Sequence, residues 1–252
     1  MFETILNPVF SPLLKLPSLW AIMLISLLVA LLITLIYKWM TDQHLMRKLK
    51  EDIKNFQKQM KELKDKPQEV MKVQKRAMQT NMKYMMHSLK PTLITFIPII
   101  IIFSWLNANL AYEPINPGQE FTTSAFFDIG AAGDISLVAP EGIEIIGNST
   151  KPITDNQVNW TLKGTTGNYI LEYQYHNQSY QKEILITEQK DYEEPVKVIN
   201  KGKLNQLIVN NKKVTPLSFT GIPWVKNWGW LGTYIIFSII FSMSLRKILK
   251  IH

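Results

Sequence analysis

The chain has 252 residues, carries 28 Lys/Arg against 20 Asp/Glu, and contains no cysteine. The missing cysteine excludes disulfides, thiol catalysis and Cys-ligated zinc. Hydrophobic residues make up 46% and mean hydropathy is near zero, an average that hides three windows, residues 16–37, 91–112 and 227–245, free of Asp, Glu, Lys, Arg and His. These windows are 22, 22 and 19 residues long, and about 20 apolar residues in a helix cross the hydrocarbon core. A helix satisfies its own backbone hydrogen bonds, so such a run is stable in lipid. Helices buried in a soluble core are rarely uncharged over such lengths.

In chain order, residues 1–18 place Pro8, Pro12 and Pro17 among Phe2, Ile5, Leu6, Val9, Phe10, Leu13 and Leu14. They read either as an interfacial amphipathic segment or as a disordered tail. The first apolar window is expected to stay in the mature chain. It follows Met1-Phe2-Glu3 rather than a basic stretch, it is long, and no small-residue cleavage site follows it. Tyr37-Lys38-Trp39 marks an aromatic and basic membrane boundary.

Residues 38–90 hold 14 Lys/Arg and 6 Asp/Glu. Met46, Leu49, Ile53, Phe56, Met60 and Leu63 step by 3 and 4, a heptad seam. Lys48, Lys50, Lys54, Lys58, Lys61 and Lys64 would cover the outer face. Asp65-Lys66-Pro67 breaks this helix, and Pro67 is placed to start the next. In that second arm Met71, Met78, Met82, Met85 and Leu89 fall near one face. Two helices joined by a short turn pack antiparallel, and arms of roughly 20 residues would reach about 30 Å at 1.5 Å per residue. Eight of the eleven methionines lie between positions 40 and 86. Methionine is adaptable and polarizable, so Met78, Met82, Met85 and Met86 near the membrane suit contact with varied apolar partners. Gap-filling between the helices is the bland alternative, and the better one for Met60 and Met71.

Pro91 is expected to open the second membrane helix and Pro98 to kink it. The segment 107–226 carries 10 Lys against 13 Asp/Glu, and the tail holds Arg246, Lys247 and Lys250. The positive-inside rule therefore puts the 38–90 hairpin and the tail in the cytosol, with the N-terminus and 107–226 outside. Three N-x-[ST] sequons, at Asn148, Asn159 and Asn177, all lie in that outside segment and agree with this orientation.

Beyond residue 112 aromatic and β-branched residues alternate with polar ones. Strands are expected at 120–127, 135–138, 143–146, 158–163, 169–175, 181–187 and 207–209, a small β-sandwich. His176-Asn177-Gln178-Ser179 reads as a hairpin turn, and Gly167-Asn168-Tyr169 resembles a tyrosine corner. Residues 190–220 read as a strand pair or a linker. The third membrane helix opens on Trp224, Trp228 and Trp230, and Tyr234, Ser238 and Ser242 make one polar stripe along it.

The expected architecture is an α-helical membrane protein with three transmembrane helices, a cytosolic antiparallel coiled-coil hairpin and an inserted extracellular all-β, sandwich-like domain. Its parts are an interfacial segment (1–18), membrane helix 1 (19–37), the hairpin (38–90), membrane helix 2 (91–112), the β-domain (113–222), membrane helix 3 (226–245) and a basic cytosolic tail (246–252). The four histidines have no partners at metal-ligand spacing, and no phosphate loop or nucleophile elbow occurs. No ionisable Asp, Glu, Lys or Arg lies mid-membrane, where proton relays and ion paths need one. An enzyme, pump or channel is not expected, nor a cofactor or metal. The basic hairpin suits a polyanion, either anionic lipid or RNA.

The element order resembles the archaeal YidC-like proteins of the YidC/Oxa insertase superfamily, to which the insertase subunit of the ER membrane protein complex also belongs. The resemblance rests on the Met-rich run from Met78 to Met86 leading into Lys90-Pro91. It rests also on Gly229-Trp230-Leu231-Gly232-Thr233-Tyr234-Ile235-Ile236 followed by Ser238, Ser242 and Arg246-Lys247. It covers residues 1–110 and 222–250 and leaves out the β-domain. It implies a chaperone-like insertase. A polar groove open to cytosol and lipid passes a short hydrophilic segment while a nascent helix partitions into the bilayer, and the hairpin engages the ribosome or the client. Partners implied are nascent membrane proteins, the ribosome, the bilayer, and a translocon or accessory subunit. Bacterial relatives carry an arginine in the groove; here Lys38, Lys90 and Arg246 at the cytosolic ends are the nearest substitutes. By position the groove residues are Ser26, Thr34, Lys38, Thr92, Thr95, Tyr234, Ser238, Ser242 and Arg246. Lys48, Lys54, Lys58, Lys61 and Lys64 are the ribosome-facing set, and Met78, Met82, Met85 and Met86 the client-facing set. The competing reading is a structural anchor joining an envelope-bound β-domain to a cytosolic partner of the coiled coil.

Overall fold

The computed structural model describes residues 3–249 and 251. Phe2 of the N-terminal stretch and Lys250 and His252 of the tail lie outside the described residues. The chain divides into a helical unit, Met1–Trp105 with Leu231–His252, and a β-rich unit, Leu106–Trp230.

In the helical unit, α1 (Glu3–Leu14) is a helix despite Pro8 and Pro12 inside it. Its packing against α4 offsets the lost backbone bonds: Phe10 is buried with its ring 5.2 Å from Trp105, and the Trp105 indole N–H donates to Asn7 Oδ1 at 2.7 Å. Residues 3–14 thus form a helix that contacts α4 through Asn7 and Phe10.

The first apolar window forms α2 (Ser18–Met40), which buries Ala21, Ile22, Ile25, Ser26, Val29, Ala30, Thr34 and Tyr37. These recur at three- and four-residue steps, one helical face. Thr41 leaves the helix in an extended conformation. Asp42 then caps α3 (Gln43–Glu62), its carboxylate accepting from the N–H groups of His44 and Leu45 at 2.9 and 3.0 Å. The Leu45 N–H bond is the largest influence holding this carboxyl below its usual pKa; desolvation acts against it, and the N–H and charge of His44 add to the lowering.

Helix α4 runs from Pro67 to Leu110 without interruption. Pro67 does start it. Pro91, however, lies inside, so no helix opens there: residues 67–110 are one helix. A proline interrupts a helix by removing one N–H and crowding the carbonyl four residues back, but membrane helices accommodate it where neighbours and Ser/Thr groups compensate. Here Pro91 is buried, and Ser88, Thr92 and Thr95 donate to backbone carbonyls of Tyr84, Ser88 and Thr92 on either side. The third span, α5, covers Trp230–Ile248, later in sequence than the expected 226–245. All three helices are long and apolar enough to cross a membrane.

The burial pattern along α3 and the first half of α4 agrees with expectation only in part. In α3 Met46 and Leu49 are buried, and Ile53, Phe56, Met60 and, just beyond its end, Leu63 are half-buried, as are Gln43, Leu45 and Asp52. In the first half of α4 the half-buried residues are Val70, Val73, Ala77, Thr80, Tyr84 and Ser88, whereas the methionine face is exposed. Met71, expected to fill a gap between the helices, is 69% exposed. Apart from Tyr84, this half-buried row of α4 uses small and β-branched residues, which the methionine count masked.

The β-rich unit holds nine strands: β1 (Phe121–Phe127), β2 (Asp134–Val138), β3 (Ile143–Ile146), β4 (Thr150–Pro152), β5 (Gln157–Gly164), β6 (Gly167–Tyr175), β7 (Gln178–Ile186), β8 (Val196–Lys201) and β9 (Leu204–Val209). Two open antiparallel sheets form, in the orders β3-β5-β1-β9-β8 and β4-β2-β6-β7. Residues of both sheets make one core. Trp160 meets Tyr173 edge to face at 5.7 Å, Phe127 meets Tyr175 at 5.2 Å, and the Thr123 hydroxyl hydrogen-bonds the buried Tyr173 phenol. Strand β4 was not expected, being three residues long; β8 and β9 realise the strand pair in 190–220.

The β6–β7 turn puts His176 and Asn177 at φ 47° and 58°, the two left-handed residues of a type I′ hairpin. Tyr169 hydrogen-bonds the Thr165 hydroxyl at 2.8 Å and reaches the Thr166 carbonyl at 3.4 Å. Its ring covers Gly142, at φ +95°, where a Cβ would sit 2.7 Å from the phenol oxygen. Lys182 is buried in the inward row Tyr180, Lys182, Ile184, Ile186 of β7, an edge strand. Its ammonium donates to the Glu183 carbonyl at 2.6 Å. Burial lowers its pKa, with Glu193 acting the other way. An inward charge on an edge strand discourages edge-to-edge pairing with another chain.

The chain enters and leaves this unit through a zipped stem. The Glu113 N–H donates to the Lys212 carbonyl at 2.7 Å and the Val214 N–H to the Ala111 carbonyl at 3.0 Å, and Lys212 pairs with Glu113 at 3.1 Å. Tyr192 closes the end of α4: its hydroxyl donates to the Asn107 carbonyl at 2.6 Å and accepts from the Ala111 N–H at 2.9 Å.

Candidate functional site

The spans α2, α4 and α5 meet pairwise. The Tyr37 phenol lies 3.3 Å from Ser88 Oγ, joining α2 to α4. Phe103 and Tyr234 pack edge to face at 4.9 Å, joining α4 to α5. The Arg246 guanidinium sits over the Tyr37 ring, 5.2 Å from its centre, joining α5 to α2.

Into this interface the helices turn most of their hydroxyls. Ser26, Thr34, Thr95 and Tyr234 are buried, as is the neighbouring Thr233. Ser238 and Ser242 are half-buried, at the edge of the exposed row Ile235, Ile239 and Met243 of α5. Thr92 and Lys38 point outward and are exposed. Most of these hydroxyls donate within their own helix: Ser26 to Ile22 at 2.7 Å, Thr34 to Ala30 at 2.6 Å, Thr95 to Thr92 at 2.9 Å and Ser238 to Ile235 at 2.9 Å. Such back-bonding removes the cost of an unpaired hydroxyl in hydrocarbon while leaving oxygen lone pairs to accept. The arrangement is a stripe of satisfied polar groups along the inside of three apolar helices.

At one end of the stripe is a cluster that sequence reasoning found only in part. Arg246 was a candidate by position; Tyr37, Tyr84 and Ser88 were not. Tyr84 lies beside both Tyr37 and Arg246. The available signal was the spacing Tyr84-Ser88-Pro91, which continues the half-buried row of α4. A guanidinium over an aromatic face contributes about 0.5–2 kcal/mol, more when water is excluded. Arg246 thus rests against an aromatic face.

Beyond this end, α4 presents Met78, Met82, Met85, Met86 and Leu89, all exposed. Lys48, Lys54, Lys58, Lys61 and Lys64 are exposed on α3 and in the turn after it. In the β-rich unit the three sequon asparagines are exposed. Asn177 sits at the tip of the β6–β7 turn, whereas Asn159 lies within β5, flanked by β1 and β3. Among the described residues no cluster of His, Asp or Glu could hold a metal ion.

Residues 3–126 match the family model described as integral membrane protein EMC3/TMCO1-like. The match takes in α1 to α4 and β1, and stops before the rest of the β-rich unit and α5. That family belongs to the Oxa1/YidC/Alb3 insertase-related superfamily and is linked to membrane protein insertion. No curated protein and no solved structure matches the chain.

Proposed function

We propose that this multi-pass membrane protein, whose residues 3–126 match an insertion-linked family, is itself an insertase of the archaeal YidC-like kind. Client helices pass along the face where α2, α4 and α5 meet. The observation that carries the proposal is the stripe of Ser26, Thr34, Thr95 and Tyr234 buried among otherwise apolar spans, with Ser238 half-buried beside it. A polar group in hydrocarbon without partners costs several kcal/mol. A short hydrophilic segment that borrows the oxygen lone pairs of such a stripe crosses at lower cost, while the adjoining apolar helix partitions into lipid. No covalent chemistry and no nucleotide is needed.

The hairpin in this reading is a cytosolic coiled coil, its seam formed by the heptad positions of α3 and the Val70–Ser88 row of α4. The exposed methionines receive the arriving apolar segment. The lysines of α3 face the ribosome, an electrostatic contact that weakens as salt rises. The β-rich unit lies outside the cell with the N-terminus, as charge and sequons indicate.

The test is reconstitution of the full chain in liposomes with a short-tailed, single-span client. Ser238→Leu with Ser242→Leu is expected to lower insertion several-fold while leaving α5 in the membrane. Unchanged insertion by the double variant would remove the stripe from the mechanism.

A further inference from the structure

One exposed apolar feature plays no part in that function. Between the stem and α5, residues 214–225 contain no charged side chain. The run is folded, not extended. Ser218–Thr220 form a 3₁₀ turn, Gly221 follows in the left-handed region at φ 66°, and the N–H groups of Val225 and Lys226 both bond the Ile222 carbonyl. Leu217 and Val225 turn inward and are buried, while Phe219, Ile222 and Trp224 turn outward, Phe219 73% and Trp224 69% exposed. Three large apolar side chains within six residues, held out by a tight turn, are costly in water.

The chain on either side says what covers them. Upstream, Val214 is hydrogen-bonded to Ala111, the residue after the last residue of α4. Downstream, the Trp224 ring packs on Trp228 at 6.0 Å, and Trp230 begins the third span. The loop therefore hangs between the point where one span ends and the point where the next begins, in one leaflet. Indole rings favour that headgroup level, and Lys226, the single charge before the span, suits lipid phosphate.

We infer that residues 217–225 form a membrane-interface wedge, with Phe219, Ile222 and Trp224 seated in the headgroup–acyl boundary of the leaflet where α4 ends and α5 begins. Its ligand is the phospholipid bilayer itself, not a protein. The inference needs only the two spans and is independent of the insertase reading. It gives the loop the task of fixing the depth of the stem.

The absence of cysteine makes the test direct. Phe219→Cys and Trp224→Cys, each labelled with an environment-sensitive fluorophore in the full chain, are compared with Ile129→Cys, an 85% exposed apolar site on the β1–β2 loop. In phosphatidylcholine nanodiscs the labels at 219 and 224 should shift to the blue and be quenched by nitroxide-bearing lipids, and the label at 129 should not. Labels at 219 and 224 as open to an aqueous quencher as the one at 129 would overturn the inference. So would protection without lipid quenching, since the cover would then be protein. Unlabelled protein gives a second readout: brominated lipid should quench the native fluorescence more than it quenches Trp224→Phe, and equal quenching also overturns the wedge.

Discussion

Tyr192 shows how much one side chain can hold. It is buried, its hydroxyl bonds both the Asn107 carbonyl and the Ala111 N–H, and its ring stands edge to face on Tyr112 at 5.6 Å. Tyr192→Phe keeps the ring and leaves a buried N–H without its partner, which costs roughly 1–3 kcal/mol. Faster hydrogen exchange at the end of α4 and across the 111–113 and 212–214 pairing is the expected result. Burial pushes this phenol up to about 12, against the lowering effect of the Ala111 N–H. Its stabilising contribution is therefore whole below the ordinary tyrosine range near 10 and is lost as pH rises from there through about 12. Exchange at the stem followed against pH should show that loss in the wild type and not in Tyr192→Phe. Nothing in the sequence singles out Tyr192, because its value depends on a fold that returns residue 192 to residue 107. Ser26 and Thr34 were easier: their position on the face of α2 follows from helical period.

At the scale of elements, periodicity served well where a face was clear and failed where composition drew attention elsewhere. The buried and half-buried apolar row of α3 was legible from its period, Leu45 excepted. The half-buried row of α4 was not, since Val70, Val73, Ala77 and Thr80 are inconspicuous beside five methionines. Pro91 suggested a break because its local effect is real; the buried setting that tolerates it is a tertiary property. Most long strands were legible from alternation, while β4 is too short to show any. The methionine faces give a direct check. Under mild peroxide, Met71, Met78, Met82 and Met86 should oxidise first and Met46, which is fully buried, last, as read by mass spectrometry of peptides. Equal rates along α3 and α4 would contradict the exposed methionine face.

For the whole molecule, the division into a helical and a β-rich unit separates two functional readings. If the chain is an anchor, its β-rich unit is essential. If it is an insertase, replacing residues 116–210 with a short linker, which keeps the 111–113 and 212–214 stem, should leave most client insertion intact in reconstituted liposomes. Loss of insertion with the spans still in place would favour the anchor. Three spans, their order and the charge asymmetry around them were legible at this scale because the bilayer imposes length and composition. The meeting of Arg246, Tyr37 and Ser88 was not, since it joins three helices distant in sequence. The most direct test of insertion through the three-helix face is photo-crosslinking to a stalled nascent membrane protein. Crosslinkers would be placed at Met82 and Ser238, and at the outward Ile239 and Met243 as controls. Crosslinks to the client's apolar segment at Met82 and Ser238, with far fewer at Ile239 and Met243, are expected; equal crosslinking at all four positions, or at the outward pair alone, would contradict passage along that face.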